Sequence, residues 1–286
     1  MQTKFVFFGT PDIGVAVLEE LEKAGFVPAI VVTNPDAPQG RKMIMTETPV
    51  ARFARDRQIP VLKPESLKDP EILEILKNAG ADLFIVAAYG KIIPQAILDI
   101  PKHGTLNMHP SLLPKLRGAS PIRSAILQHE YPTGVSIMLL TPGLDKGPIV
   151  AQEVAEIEAV AWPMRGTELD TLLSHQGGAL LARILPDWLA GKITPHEQDD
   201  ARATYCAKIT KDMALIDLNA GPEENLRKIR AFDGWPGAYY LHEKTNGTRI
   251  RVKIIDAEIR NSSLILIRVI PEGKKEMAYE DFRHGI

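Results

Sequence analysis

The 286-residue sequence predicts a doubly wound α/β fold with a mostly parallel sheet, followed by a smaller β domain at the C-terminus. Three observations predict it. Unbroken apolar runs of strand length alternate with segments whose apolar residues recur at helical spacing, the pattern of parallel strands buried on both faces. A hydrophobic fraction of 45% in a chain this long can bury one large core, or one large and one small, which allows two domains. Near residue 190 the composition turns polar, and the pattern beyond it is rich in strands.

The first run, KFVFFG, reads as a strand. In the following DIGVAVLEELEKAG, residues Ile13, Val17, Leu18 and Leu21 fall at helical spacing, and Gly25 can end the helix. VPAIVVT resumes as a strand. TPVARFARDRQ and DPEILEILKNAG read as helices, ADLFIVAAYG as a strand, KIIPQAILDI as a short helix and GTLNMH as a strand. After Pro110 come a proline-rich irregular segment, a helix in SPIRSAILQ, a strand in GVSIMLL, the turn GLDKG and a strand in IVAQEVAEI. The helical stretch TELDTLLSHQGGALLARILPDWLAG completes the domain, with Pro186 expected to kink or restart it. The expected boundaries are 1–189 for this domain, 190–206 for a polar surface linker and 207–286 for the second domain. There GPEENLRKIRAF reads as a helix opened by Pro222. AYYLHE, TRIRVKIIDAEIR and SLILIRVI read as strands, with Asn246 and Gly247 as a hairpin signal between the first two.

Charge and cysteine content exclude several classes. A net charge of −2 gives no global basic field, so any nucleic-acid contact has to rest on a local patch. One cysteine, Cys206, rules out an internal disulfide and a multi-cysteine zinc site, and fits a reducing compartment. No run approaches the roughly 18 apolar residues of a membrane span, and MQTKFVFFG reads as a strand rather than a leader. The expectation is a soluble, cytoplasmic monomer without membrane contact.

The first strand-to-helix turn, GTPDIG, tests nucleotide binding. A loop of the form G-x-G-x-x-G needs its second glycine so that a pyrophosphate can approach the backbone. Pro11 holds that position, removes an N–H and adds bulk, which argues against a dinucleotide-dependent dehydrogenase. Thr10 and Pro11 instead suit a helix N-cap and first turn, and the loop either does only that or also lines a ligand site.

A second signal lies at the end of GTLNMH. Residues two apart on a strand share a face, so Asn107 and His109 stand together while Met108 points the other way. Pro110 ends the strand directly after the histidine. In an open α/β sheet, ligands bind outside the carboxyl ends of the strands, so the pair belongs either at the floor of that crevice or to a hydrogen-bonded core. Asp145, in GLDKG directly after the strand GVSIMLL, reaches the same edge, with Gly143 and Gly147 supplying turn conformations. A carboxylate beside a histidine orients the imidazole for proton transfer, and an asparagine amide can donate to an oxyanion as a carbonyl carbon becomes tetrahedral. The three together suit acyl transfer without a covalent nucleophile. Asp145 taken alone also reads as a turn residue satisfying its own backbone.

These residues stand within a wider pattern. LNMHPSLLPKLRGASPI with GVSIMLLTPGLDKG resembles the signature of the folate-dependent formyltransferases, especially those acting on methionyl-tRNA. FFGTPDIGVAVLEEL, VVTNPDAPQGR, VAAYGKIIP, KITKDMALIDL, RAFDGWPGAYY and PEGKKEM extend the similarity over nearly the whole chain. The resemblance implies a Rossmann-like catalytic domain that transfers a formyl group from the co-substrate 10-formyltetrahydrofolate to the α-amine of initiator methionyl-tRNA. It implies that Asn107 and His109 polarise the formyl oxygen and handle protons, while Asp145 holds His109 charged or oriented. Ala87, Ala88, Tyr89, Gly90 and Ile92 would line the folate pocket, largely through backbone groups, and Ser111, Leu112, Leu113 and Pro114 would contact tetrahydrofolate. No metal is needed. A formyltransferase acting on an amino-sugar nucleotide or another small amine is the alternative. A non-catalytic folate- or RNA-binding protein is disfavoured by the presence of all three polar site residues.

By the same resemblance, NPDAPQGRKMIMTETPV corresponds to a loop that enters the tRNA acceptor arm, shorter and less basic here, with Arg41 and Lys42 as candidate contacts. From Cys206 onward 14 Lys and Arg stand against 12 Asp and Glu, a balance of +2, whereas the preceding residues carry −4. Arg249, Arg251 and Lys253 alternate along TRIRVK and so share a strand face, which either tracks a phosphate backbone or is a solvated sheet surface. The family's C-terminal domain resembles an OB barrel of about five strands. Three strands are legible in this sequence, so a shortened OB-like domain is expected, with one or two strands missing before SLILIRVI. The aromatic residues Phe232, Trp235 and Tyr239 are expected to pack around Pro236.

Overall fold

The computed structural model describes residues 3–40, 43–245 and 247–284. Contacts divide the chain into two units, each made of three segments. The first comprises Met1–Gly118, Thr133–Ala155 and Thr171–Tyr205; the second comprises Ala119–Pro132, Glu156–Asp170 and Cys206–Ile286.

The first unit is built on a seven-stranded sheet. Its order is Ile149–Val154, Gly134–Leu139, Thr105–His109, Leu83–Ala87, Phe5–Gly9, Ile30–Val32, Val61–Leu62. The five strands from Thr105–His109 onward are parallel, Gly134–Leu139 runs antiparallel to Thr105–His109, and Ile149–Val154 reverses again against Gly134–Leu139. Every residue of Phe5–Gly9, Leu83–Ala87 and Thr105–His109 is buried, which is why these strands read as near-continuous apolar runs. On one face Val6, Phe8, Phe84 and Val86 pack with Leu76 of the helix Pro70–Asn78 and Ile97 of the helix Gln95–Leu98. On the other, Met108 meets Gly177 of the helix Gly166–Leu189 so closely that a Cβ on that glycine would lie 2.6 Å from Met108 Cγ. The winding direction of the sheet reverses between Phe5–Gly9 and Leu83–Ala87, so a crevice opens beyond the carboxyl ends of these two strands.

Three local readings change. Thr10 does not cap the helix Asp12–Lys23; Pro11 is the N-cap without a side-chain bond, and Thr10 Oγ1 donates to Tyr89 O at 3.3 Å. The long helix continues through Pro186. The segment following the second strand carries a small hairpin, Ala37–Gln39 with Ile44–Thr46, where a plain loop was expected.

The second unit holds a four-stranded antiparallel sheet, Tyr239–Glu243, Arg249–Arg260, Ser263–Pro271 and Met277–Ala278, in sequence order. Val252, Ile254 and Leu266 form a core with Leu226, Ile229 and Phe232 from the helix Pro222–Ala231 and its C-terminal end. Asn261 and Ser262, with φ of 50° and 59°, turn one long strand directly into the next. Two left-handed residues in a two-residue loop match the twist of an antiparallel pair, and such a turn leaves no place for an inserted strand. Among the described residues the sheet is an open meander, and its fourth strand was not legible in PEGKKEM.

Candidate active site

The strand Thr105–His109 places Asn107 and His109 on one face and Met108 on the other. Both polar residues are nearly buried, Asn107 at 8% and His109 at 4% exposure. His109 Nε2 lies 2.9 Å from Leu116 O. A carbonyl oxygen only accepts, so Nε2 donates, and in the neutral ring Nδ1 carries the lone pair. Nδ1 stands 3.8 Å from Asp145 Oδ2, inside strong Coulomb range but longer than a hydrogen bond. That same oxygen accepts the Gly118 N–H at 2.8 Å. Asp145 itself has φ of 48°, a left-handed conformation the sequence reading had assigned to the neighbouring glycines. Gly147 is needed for a different reason: a Cβ there would sit 1.7 Å from Leu139 O.

The irregular segment after Pro110 is pinned by residues that sequence reasoning passed over. Ser136 is fully buried; its hydroxyl donates to Ser111 O at 2.6 Å and accepts the Leu113 N–H at 3.0 Å. Gln152 Nε2 reaches both Ser136 Oγ and Leu113 O at 2.8 Å. Thr204 Oγ1 accepts the Leu116 N–H at 2.8 Å and Thr204 O accepts the Arg117 N–H at 2.9 Å, which fixes the carbonyl that holds His109. Arg117 is fully buried and donates to Gln198 Oε1 at 2.9 Å and to Asp200 Oδ1 at 2.6 Å. The hydrogen bond from Arg117 holds the Asp200 carboxyl below the usual carboxylate range, against a smaller opposing effect of burial. Gln198, Asp200 and Thr204 lie in a stretch expected to be a surface linker. The one signal available in the sequence was Ser136, a lone hydroxyl inside an apolar strand.

The expected folate-lining residues fall into two groups. Ala87 is buried in its strand, and the Tyr89 side chain packs edge-on against Phe8 at 2% exposure. Burial pushes the Tyr89 hydroxyl up to about 12. The Tyr89 carbonyl is held by Thr10 Oγ1 and Asn34 Nδ2. Ala88 and Gly90, both with positive φ, are exposed beside it, and Ile92 is 93% exposed. Ser111 and Leu113 are buried, and Ser111 Oγ donates to Lys115 O at 2.7 Å, whereas Leu112 and Pro114 stay half-buried.

Arg41 and Lys42 lie outside the described residues. Arg249, Arg251 and Lys253 share one face of their strand, as the alternation predicts, since Val252 and Ile254 point into the core. Arg249 Nε is 3.4 Å from Glu243 Oε2, and Arg251 lies 3.7 Å above the Tyr239 ring. Lys253 extends along Gly237, where a Cβ would approach its Cε to 2.5 Å. Trp235 is 55% exposed while Phe232 is buried, so the expected aromatic cluster is only partly closed. Among the described residues no group of His, Cys, Asp and Glu could hold a metal ion, and no helix is long and apolar enough to cross a membrane.

Comparison with known proteins bears on this geometry. The formyl transferase family model matches residues 3–165, and the model of the formyl transferase C-terminal domain matches residues 208–265. Methionyl-tRNA formyltransferase of Bacillus subtilis (strain 168) is 38% identical over 303 residues, covering 99% of this chain and 95% of that one. Two solved structures share the fold. A sugar N-formyltransferase from Shewanella sp FDAARGOS_354 aligns with a TM-score of 0.64 at 17% identity, over 93% of this chain and 100% of that one. HypX from Aquifex aeolicus, solved with tetrahydrofolic acid, aligns with a TM-score of 0.67 at 14% identity, over 99% of this chain and 47% of that one.

Proposed function

This chain belongs to the formyl transferase family, and from that premise we propose that it moves a formyl group from 10-formyltetrahydrofolate to the α-amine of initiator methionyl-tRNA, serving translation initiation. The observation that carries the site assignment is the junction of Asn107 and His109 on one strand face with the Asp145 carboxylate 3.8 Å from the imidazole. In this reading residues 1–189 carry the catalytic side chains, 190–206 link while bracing the site through Gln198, Asp200 and Thr204, and 207–286 serve the tRNA; the protein works as a cytoplasmic monomer.

The chemistry follows from the residues. When bound, 10-formyltetrahydrofolate supplies the formyl carbon, and its N10 leaves with the bonding electron pair. Among the described residues no hydrogen bond engages the Asn107 amide, so its N–H groups are available to the formyl oxygen as negative charge develops there. His109 Nδ1 takes the proton that the attacking amine loses, and can return one to departing N10, so the exchange of one C–N bond for another is proton-neutral. Asp145 stabilises the imidazolium formed in between. Exposed Ala88 and Gly90, the apolar Ile92 and half-buried Leu112 and Pro114 are the residues this reading assigns to the pterin ring. Ala87, Tyr89, Ser111 and Leu113 support them from within, with side chains already packed or bonded. Arg41, Lys42, Arg249, Arg251 and Lys253 are assigned to tRNA phosphates.

Incubation with 10-formyltetrahydrofolate and either charged initiator tRNA or amino-sugar nucleotides tests this. Formylmethionyl-tRNA is the expected product; formylation confined to the sugar nucleotides would overturn the acceptor assignment.

A further inference from the structure

We propose that Gln198 is a positioning residue for formyl transfer: its amide anchors the turn that carries Asp145 and thereby sets where the carboxylate stands against His109. The proposal rests on the formyltransferase reading above and deepens it. Gln198 Nε2 donates to Asp145 O at 2.8 Å and to Gly147 O at 2.7 Å. Its Oε1 accepts from Arg117 Nε at 2.9 Å. A guanidinium only donates, so Arg117 dictates which end of the amide faces it and directs both amide hydrogens at the two turn carbonyls. Arg117 cannot swing away, because it is fully buried and its Nη1 is on Asp200.

Asp145 is thus gripped at two points. Gln198 holds its carbonyl, and the Gly118 N–H, one residue past Arg117, holds its carboxylate. Both grips trace back to the Arg117–Gly118 dipeptide. Asp145 also sits in a left-handed conformation, which costs a residue with a side chain more than it costs glycine, though aspartate tolerates it better than most. His109 is fixed through Leu116 O, the residue next to Arg117 in the chain. The separation of Nδ1 and Oδ2 is therefore set from one short segment, Leu116–Gly118, and Gln198 ties the turn that carries Asp145 to it.

The test compares Gln198→Met, which keeps length and loses both donors, and Gln198→Glu, which keeps the acceptor for Arg117 and turns an oxygen toward the two carbonyls. Each is made in the unsubstituted protein and in Asp145→Ala. In the former, kcat for formylation of methionyl-tRNA is expected to fall by about 10- to 100-fold with little change in KM, the size of effect an ångström-scale misplacement produces. In Asp145→Ala the same changes are expected to alter kcat by less than about 3-fold, because the group they position is gone. Amide exchange at Gly118 is expected to speed up by about 10-fold in Gln198→Met, beyond the change that slowly exchanging core amides show from any loss of global stability. Equal kcat losses in both backgrounds, or Gly118 exchange that does not move, would overturn the proposal. If the unsubstituted protein formylates no amine, the formyltransferase reading and this role in it both fall, while Gly118 exchange still reports separately whether Gln198 anchors the turn.

Discussion

The hydrogen-bond lattice behind the candidate active site and the basic face of the antiparallel sheet use polar groups in opposite ways. Behind the site, Ser136, Arg117 and Ser111 are almost wholly buried, and each meets backbone or side-chain partners. On the sheet, Arg249 and Arg251 stand in solvent, one near an exposed carboxylate and the other flat on a tyrosine ring. Removing a buried partner strands whatever it was bonded to, whereas removing an exposed one returns its neighbours to water. The first region should therefore be sensitive in stability and geometry, and the second mainly in its response to salt and ligand charge.

The sharpest separation comes at the site itself. Asn107→Ala and His109→Ala should each lower turnover by about 10²–10³-fold, the usual cost of losing a group that acts on transition-state charge or protons. Melting temperature should shift little; steady-state formylation measured beside thermal unfolding checks this, and losses that run in parallel would return the pair to the structural core. Next, Ser136→Ala strands the Ser111 carbonyl, the Leu113 N–H and one hydrogen of Gln152, and should destabilise the protein by about 2 kcal/mol in urea titrations. A cost near zero would break the contrast between the two regions. On the sheet, Arg251→Ala should weaken tRNA binding several-fold and reduce the slope of log affinity against log salt by about 1, with a stability change under about 1 kcal/mol. An unchanged slope would remove Arg251 from the phosphate contacts.

The smallest effect concerns Asp200, where the contrast blurs, because a buried arginine meets a carboxylate that is 68% exposed. Its pKa is lowered in the folded state, so its contribution is present above the unfolded carboxylate value and lost as pH falls through the folded one. Asp200→Asn should accordingly be less stable than the unsubstituted protein near neutral pH, and the two should converge as pH falls through the lowered folded-state value. A gap that widens in acid would contradict the assigned partner.

Much of the first unit was legible because strands buried on both faces have no polar side to disguise them. KFVFFG, ADLFIVAAYG and GTLNMH could be placed from apolarity alone, and Pro110 marked where the histidine had to stop. Asp145 was legible because a carboxylate directly after a strand end can reach only one edge of the sheet. What stayed hidden has a common cause. Gln198, Thr204 and Gln152 act on backbone carbonyls and amides, which every residue carries, so their partners leave no mark of residue type in the sequence. The left-handed turns at Ala88, Leu116 and Asp145 escaped for a related reason: glycine announces such a turn, and these residues adopt it only because tertiary contacts impose it. The reversed direction of Gly134–Leu139 in the large sheet also leaves no local trace, since strands of either direction can be fully buried.

The close approach of Gly177 to Met108 reaches past the packing it explains. Met108 is the residue between the asparagine and the histidine, so the rear of the sheet is mechanically coupled to its reactive front. An engineer replacing that helix glycine with alanine to gain about 1 kcal/mol of helix propensity would be driving a methyl group into the back of the strand that carries Asn107 and His109. The overpacking costs about 1–3 kcal/mol, enough to offset the propensity gain, so the alanine would lose alignment without gaining stability.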